Sequence, residues 1–117
     1  MPHIVLETTA DLFENANIPD ILEALVTRLS SFDTIASKDI KAYHTLRSNW
    51  CMGAGAPPGF AHVTVGIKSG RPVELRRLIA DGMHQTLLDQ LSLSVEHDDI
   101  SVTLEVREFD SETYRKR

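Results

Sequence analysis

Residues 60–77 read FAHVTVGIKSGRPVELRR, and two periodicities meet inside this stretch. From Phe60 to Lys68 the β-branched and apolar residues have the composition of a strand. Ser69, Gly70 and Arg71 break the pattern, and Pro72 then stands where a helix can begin, because a first-turn residue needs no N–H. From Pro72 to Leu93 the apolar residues Leu75, Leu78, Ile79, Met83, Leu87 and Leu91 recur at helical spacing, which predicts one long amphipathic helix. Gly82 lies inside that helix and marks either a close helix–sheet contact or a weak point.

The same plan extends outward in both directions. Downstream, Ile100, Val102, Leu104 and Val106 alternate along ISVTLEVREF, the signature of a strand with one buried face. Upstream, residues 3–8 form a strand and residues 17–31 a helix, with Pro19 in its first turn and Ile21, Leu22, Leu25 and Leu29 on one face. DIKAYHTLRSNW alternates as well, with Ile40, Ala42, His44, Leu46 and Trp50 on one side. Lys41, Tyr43, Thr45 and Arg47 fall on the other. MGAGAPPG is a glycine–proline loop. The order is β-α-β, loop, β-α-β: an α+β fold over residues 1–117, with a four-stranded sheet and both helices on one face. The uncovered face needs a partner, and another copy of the chain is the simplest, so a closed homo-oligomer is expected.

Composition narrows the function. The 117 residues are 42% hydrophobic and 25% charged, as in a globular domain. Asp and Glu number 17 against 12 Lys and Arg, a formal charge of −5, and no basic stripe suggests nucleic-acid binding. The terminal YRKR reads as a solvated tail. One cysteine, Cys51, excludes an internal disulfide and suits a reducing compartment; with no signal-like start and no membrane-length apolar run, the cytoplasm is the expected location. The five histidines are scattered, so no metal site is expected, and GAGAPPG lacks the lysine and setting of a phosphate loop. No cofactor is expected.

That leaves Pro2. Removal of Met1 would expose a rigid secondary amine on a strand. Chain-terminal amines titrate near 7.7–8; burial and nearby cations lower that value, which brings the amine into the range of a general base.

Met1-Pro2-His3, the strand residues Phe60, His62 and Thr64, and then Gly70, Arg71, Glu74 and Arg76 together resemble the 5-carboxymethyl-2-hydroxymuconate Δ-isomerase family of the tautomerase superfamily. The identities cluster in these two stretches, and Ile40-Lys41, chain length and element order also fit. The resemblance implies a homotrimer whose free Pro2 acts as general base and then general acid on a small unsaturated keto acid from aromatic-compound breakdown. It implies that Arg71 grips a substrate carboxylate. The family's other arginine falls on Lys41, which keeps the charge but lacks the planar fork. Arg47, on the same strand face, is the candidate to supply that fork. Related proline enzymes decarboxylate or dehalogenate small acids, so the reaction has alternatives within the scaffold. A non-catalytic oligomeric domain that binds a small acid or a protein is the alternative of another class. His62 reads as a packed or interface histidine, Phe60 as core, and Trp50 as a core or subunit contact or a pocket wall.

Overall fold

The computed structural model describes residues 1–117. Four strands, β1 (His3–Thr9), β2 (Lys41–Arg47), β3 (Gly59–Lys68) and β4 (Ile100–Phe109), form one sheet in the order β2-β1-β3-β4. β1 and β2 are parallel, β3 and β4 are parallel, and the two central strands run antiparallel. Each half is thus a β-α-β unit. The halves carry α1 (Ile18–Ser30) and α2 (Val73–Gln90).

Strict alternation in β3 decides which face is buried. Ala61, Val63, Val65 and Ile67 are fully buried, as are Ile4 and Leu6 of β1, and they meet Ile21, Leu25 and Leu29 of α1 and Ile79, Met83 and Leu87 of α2 in one cluster. Each of these side chains except Ala61 contributes roughly 1.5–3 kcal/mol by leaving water. Both long helices therefore cover one face of a mixed four-stranded sheet, as the sequence pattern predicts. The radius of gyration, 14.7 Å, exceeds the roughly 13.4 Å typical of a compact chain of this length. A two-layer slab with one open face accounts for the excess.

Readings from the sequence are revised at several points. The long helix does not reach Leu93. It ends at Leu91, whose backbone turns to φ −107°, ψ 24°, and a short α3 (Ser92–Glu96) follows. The cause is Glu14, buried in the 3-10 turn Phe13–Asn17; its carboxylate accepts Ser94 N–H at 3.1 Å and Ser94 O–H at 2.5 Å, which redirects the chain. Second, Leu78 is 61% exposed and stands outside the stripe that Ile79 and Met83 form. Third, Gly82 marks a helix–helix approach, since a Cβ there would meet Arg28 Nη2 at 2.6 Å and Phe32 Cζ at 2.8 Å, both from the α1 side. Phe60 and Trp50 also lie outside the core cluster: Phe60 is half-buried on the open sheet face, and Trp50 donates to the Pro58 carbonyl at 2.8 Å, which pins the glycine–proline loop.

Candidate functional site

The start of β1 is where charged side chains from four separate segments converge. Pro2 is buried and continues the inward alternation of Ile4 and Leu6. Its carbonyl accepts the Lys41 N–H at 3.0 Å, and His3 stands opposite Lys41 in the parallel register. The chain start is therefore fastened to β2 by backbone pairing rather than fraying as an exposed end.

The terminal amine at Met1 lies below its ordinary value. Partial burial is the largest cause, because it strips water from the charged form; Asp39 opposes, and Lys68, Arg71 and Lys116 then lower it further by repulsion. His3 is shifted down for the same first reason, with Lys41 and the terminal amine adding to it. A basic cluster thus gathers in a chain whose net charge is −5.

Arg71 owes its position to the turn before α2. Gly70 adopts φ +115°, a region that only glycine enters freely, and this reverses the chain after β3. The Arg71 guanidinium then donates from Nε to Thr34 Oγ1 at 3.0 Å, from Nη2 to the Thr34 carbonyl at 3.2 Å, and from Nη1 to the Lys68 carbonyl at 3.3 Å. It joins the loop after α1 to the end of β3 beside the chain start. Lys41 projects from β2 onto the open face and is exposed.

Arg47 is not brought to this cluster. It pairs in register with Thr9, six residues beyond the His3–Lys41 pair, which at roughly 3.3 Å per residue is about 20 Å along the strands. Its guanidinium is taken by Glu7, with Nη2 at 2.6 Å and Nε at 2.9 Å from the same carboxylate oxygen. The shared strand face was read correctly, but a shared face does not give a shared end. His62 sits on the open face, with Nδ1 2.6 Å from Thr103 Oγ1 and Nε2 3.5 Å from Glu105, so it is a sheet-surface histidine.

The residues that sequence reasoning missed are Asp39 and the segment 110–117. That segment is not a free tail. An Asx turn at Asp110, Ser111 on Ser69, Tyr114 on His3 and Lys116 on Asp39 fold it back beside the chain start. These contacts join residues up to 111 positions apart, and no local pattern announces them. Elsewhere, a shallow groove lined by Asp20, Glu23, Thr27, Arg28 and Thr86 lies on the helix layer and holds none of the residues of the chain-start cluster. No group of three or more His, Cys, Asp or Glu side chains is arranged to hold a metal ion, and no helix is long and apolar enough to cross a membrane.

The β-α-β-β-α-β scaffold that carries this cluster is matched by known proteins. A family model described as 5-carboxymethyl-2-hydroxymuconate isomerase matches residues 2–117. The chain is similar to the crystal structure of a 5-carboxymethyl-2-hydroxymuconate isomerase from Deinococcus radiodurans R1, with 25% identity, TM-score 0.89, and coverage of 99% of this chain and 88% of the other. It is also similar to a 5-carboxymethyl-2-hydroxymuconate delta-isomerase, at 14% identity and TM-score 0.84 over 100% of this chain and 87% of the other. A fused 4-OT symmetric trimer shares the fold at 20% identity and TM-score 0.69, covering 92% and 85%. No curated protein matches. The family match spans all but the first residue, and the chain therefore belongs to the 5-carboxymethyl-2-hydroxymuconate isomerase family of the tautomerase superfamily, a family of isomerases.

Proposed function

We propose that this isomerase works through Pro2 after Met1 is removed, without a cofactor, on a small unsaturated 2-hydroxy or 2-keto carboxylic acid. The observation that carries the reading is the cluster of Lys68, Arg71 and Lys116 around the partly buried amine of Met1, one residue before Pro2, which is held below its ordinary pKa. The unprotonated amine takes a proton from the acid. The electron pair left behind moves through the conjugated system onto oxygen, and the same ammonium returns the proton to a different carbon. No atom is gained or lost, as an isomerisation requires.

Negative charge grows on the substrate oxygen during the first half-step, so cations placed there lower its barrier while also lowering the proton affinity of the amine. Arg71 uses three of its five N–H groups on Thr34 and Lys68, which leaves two to grip a carboxylate. Lys41, beside the chain start on the open face, supplies a second positive charge without a fork. Arg47, engaged by Glu7 at the far end of β2, is left out of this cluster.

The open sheet face supports assembly. Tyr43 on the edge strand β2 is 49% exposed, and the polar open face carries half-buried Val5 and Phe60. We infer a closed homo-oligomer, a trimer by analogy with the fused 4-OT protein, operating in the cytoplasm in the breakdown of aromatic compounds. The test is Pro2→Ala in a protein whose intact mass shows Met1 removed. General-base loss should lower kcat/KM for enol–keto conversion of such acids by roughly 10²-fold or more; an unchanged rate removes Pro2 from the mechanism.

A further inference from the structure

We propose that residues 110–117 are a working part of this site: folded back beside the chain start, they set Lys116 against Asp39 and so occupy the one carboxylate that faces the proton-carrying amine. The inference rests on the Pro2 reading and extends it to a residue that positions charge without touching substrate.

The fold-back is held at three places. Ser111 Oγ lies 2.7 Å from Ser69 Oγ and donates to the Ser69 carbonyl at 3.2 Å, which anchors the segment to the end of β3. Tyr114 stacks on Phe109 with ring centroids 4.4 Å apart, and its hydroxyl is 3.0 Å from His3 Nε2. Phe109 itself lies over Gly66, where a Cβ would stand 3.5 Å from the ring, so the stack rests on bare β3 backbone. Lys116 Nζ then reaches Asp39 Oδ1 at 2.9 Å. Tyr114 and Lys116 are two residues apart, and the Tyr114–His3 contact fixes where Lys116 can reach.

The charges around the amine of Met1, one residue before Pro2, come from every neighbouring segment. Asp39 belongs to the 3-10 turn Ser37–Asp39 before β2, Lys68 ends β3, Arg71 opens the turn into α2, and Lys116 lies in the returning segment. His3 and Lys41 stand alongside on β1 and β2. Of these, Asp39 alone stabilises the protonated amine at Met1, one residue before Pro2, and the bond from Lys41 N–H to the Pro2 carbonyl at 3.0 Å keeps the Asp39 turn beside Pro2 as well. Left unpaired, that carboxylate would hold the ammonium as an ion pair and weaken the base. Lys116 prevents this: it donates a hydrogen bond to Asp39, keeps the carboxyl below its usual range, and adds its own repulsion on the amine. The side chains are 36% and 24% exposed, so the pair adds little to folding, and its effect falls on the neighbouring amine.

The experiment is a nitrogen NMR titration of ¹⁵N-proline-labelled full-length protein with Met1 removed, run alongside the pH–rate profile. Lys116→Gln should raise the pKa of the Pro2 amine by roughly half a unit, and the acid limb of kcat/KM should move with it. Lys116→Arg should leave both in place. Asp39→Asn should lower the amine pKa and shrink the effect of Lys116→Gln. Tyr114→Phe, which removes only a hydroxyl, should shift the amine in the same direction as Lys116→Gln and by less. An amine pKa unmoved by both Lys116→Gln and Tyr114→Phe overturns the proposal even where Pro2→Ala abolishes activity. A shifted amine in a protein whose Pro2→Ala variant stays active upholds the charge arrangement and removes the proline mechanism instead.

Discussion

Arg71 and Thr34 are locked together across a gap of 37 residues, Nε to the Thr34 hydroxyl at 3.0 Å and Nη2 to its carbonyl at 3.2 Å. Thr34 sits at φ 69°, a left-handed conformation that a β-branched residue adopts only at a cost of about 1–3 kcal/mol. One guanidinium thus fixes a strained loop and points its remaining donors beside the chain start. Arg71→Ala should raise KM for a carboxylate substrate about tenfold and loosen this loop, with a stability loss of about 1 kcal/mol. Thr34→Gly separates the two effects: it relieves the strain, so it should leave stability equal or higher while KM rises far less than in Arg71→Ala. Steady-state kinetics and urea unfolding on the same preparations check both halves.

The resemblance implies a forked arginine at the position where this chain has Lys41. Lys41→Arg should lower KM for acids carrying two carboxylates by roughly threefold to tenfold, and Lys41→Ala should raise it, because the backbone bond from Lys41 to Pro2 survives either change. Equal KM values in all three proteins would show that Lys41 does not meet the substrate.

Buried Glu14 governs stability at the other end of the molecule. At 6% exposed, it satisfies both the N–H and the hydroxyl of fully buried Ser94. Glu14→Ala orphans both donors and should cost about 2–4 kcal/mol in urea unfolding, with Glu14→Gln costing about half as much. Neither variant should move the pH–rate profile, since Glu14 lies outside the cluster around Pro2.

Histidine burial sets an acid limit. His44 is shifted down by burial, with Nε2 2.7 Å from Thr8 Oγ1; that hydroxyl gives its one proton to Asn15, so His44 must be the donor in this contact. A depressed histidine pKa means that the unfolded chain binds the proton first. Stability is therefore full above the ordinary value of about 6.5 and declines as pH falls from there toward the lower folded value. His3 acts with the same sign. His44→Gln should flatten this decline in thermal unfolding midpoints measured from neutral pH to about pH 5; an unchanged slope would assign the acid limit elsewhere.

Most of the fold was legible because its signals are local. The alternation in β3 and the spacing of Ile21, Leu25 and Leu29 report burial directly, and together they fix a helix layer on one face. The break at Leu91 was hidden because its cause, Glu14, lies 80 residues from Ser94 in sequence. The site was legible in part. The motif residues Pro2 and Arg71, with Lys41, meet at one end because strand pairing and the Gly70 turn bring them there. Arg47 misled because periodicity specifies a face and not the distance along it. Asp39, Tyr114 and Lys116 carried no signal at all; each looks like an ordinary surface residue until the segment after β4 returns to the chain start.

The central claim is that an unblocked Pro2 nitrogen carries the transferred proton. Titrating the ¹⁵N-labelled proline nitrogen of the unsubstituted protein and overlaying kcat/KM on the same pH axis tests it most directly. The account predicts one coincident transition, below the roughly 7.7–8 of an ordinary chain-terminal amine, with activity rising as the nitrogen loses its proton. A nitrogen that does not titrate because Met1 still acylates it, or one that titrates away from the rate, would contradict it.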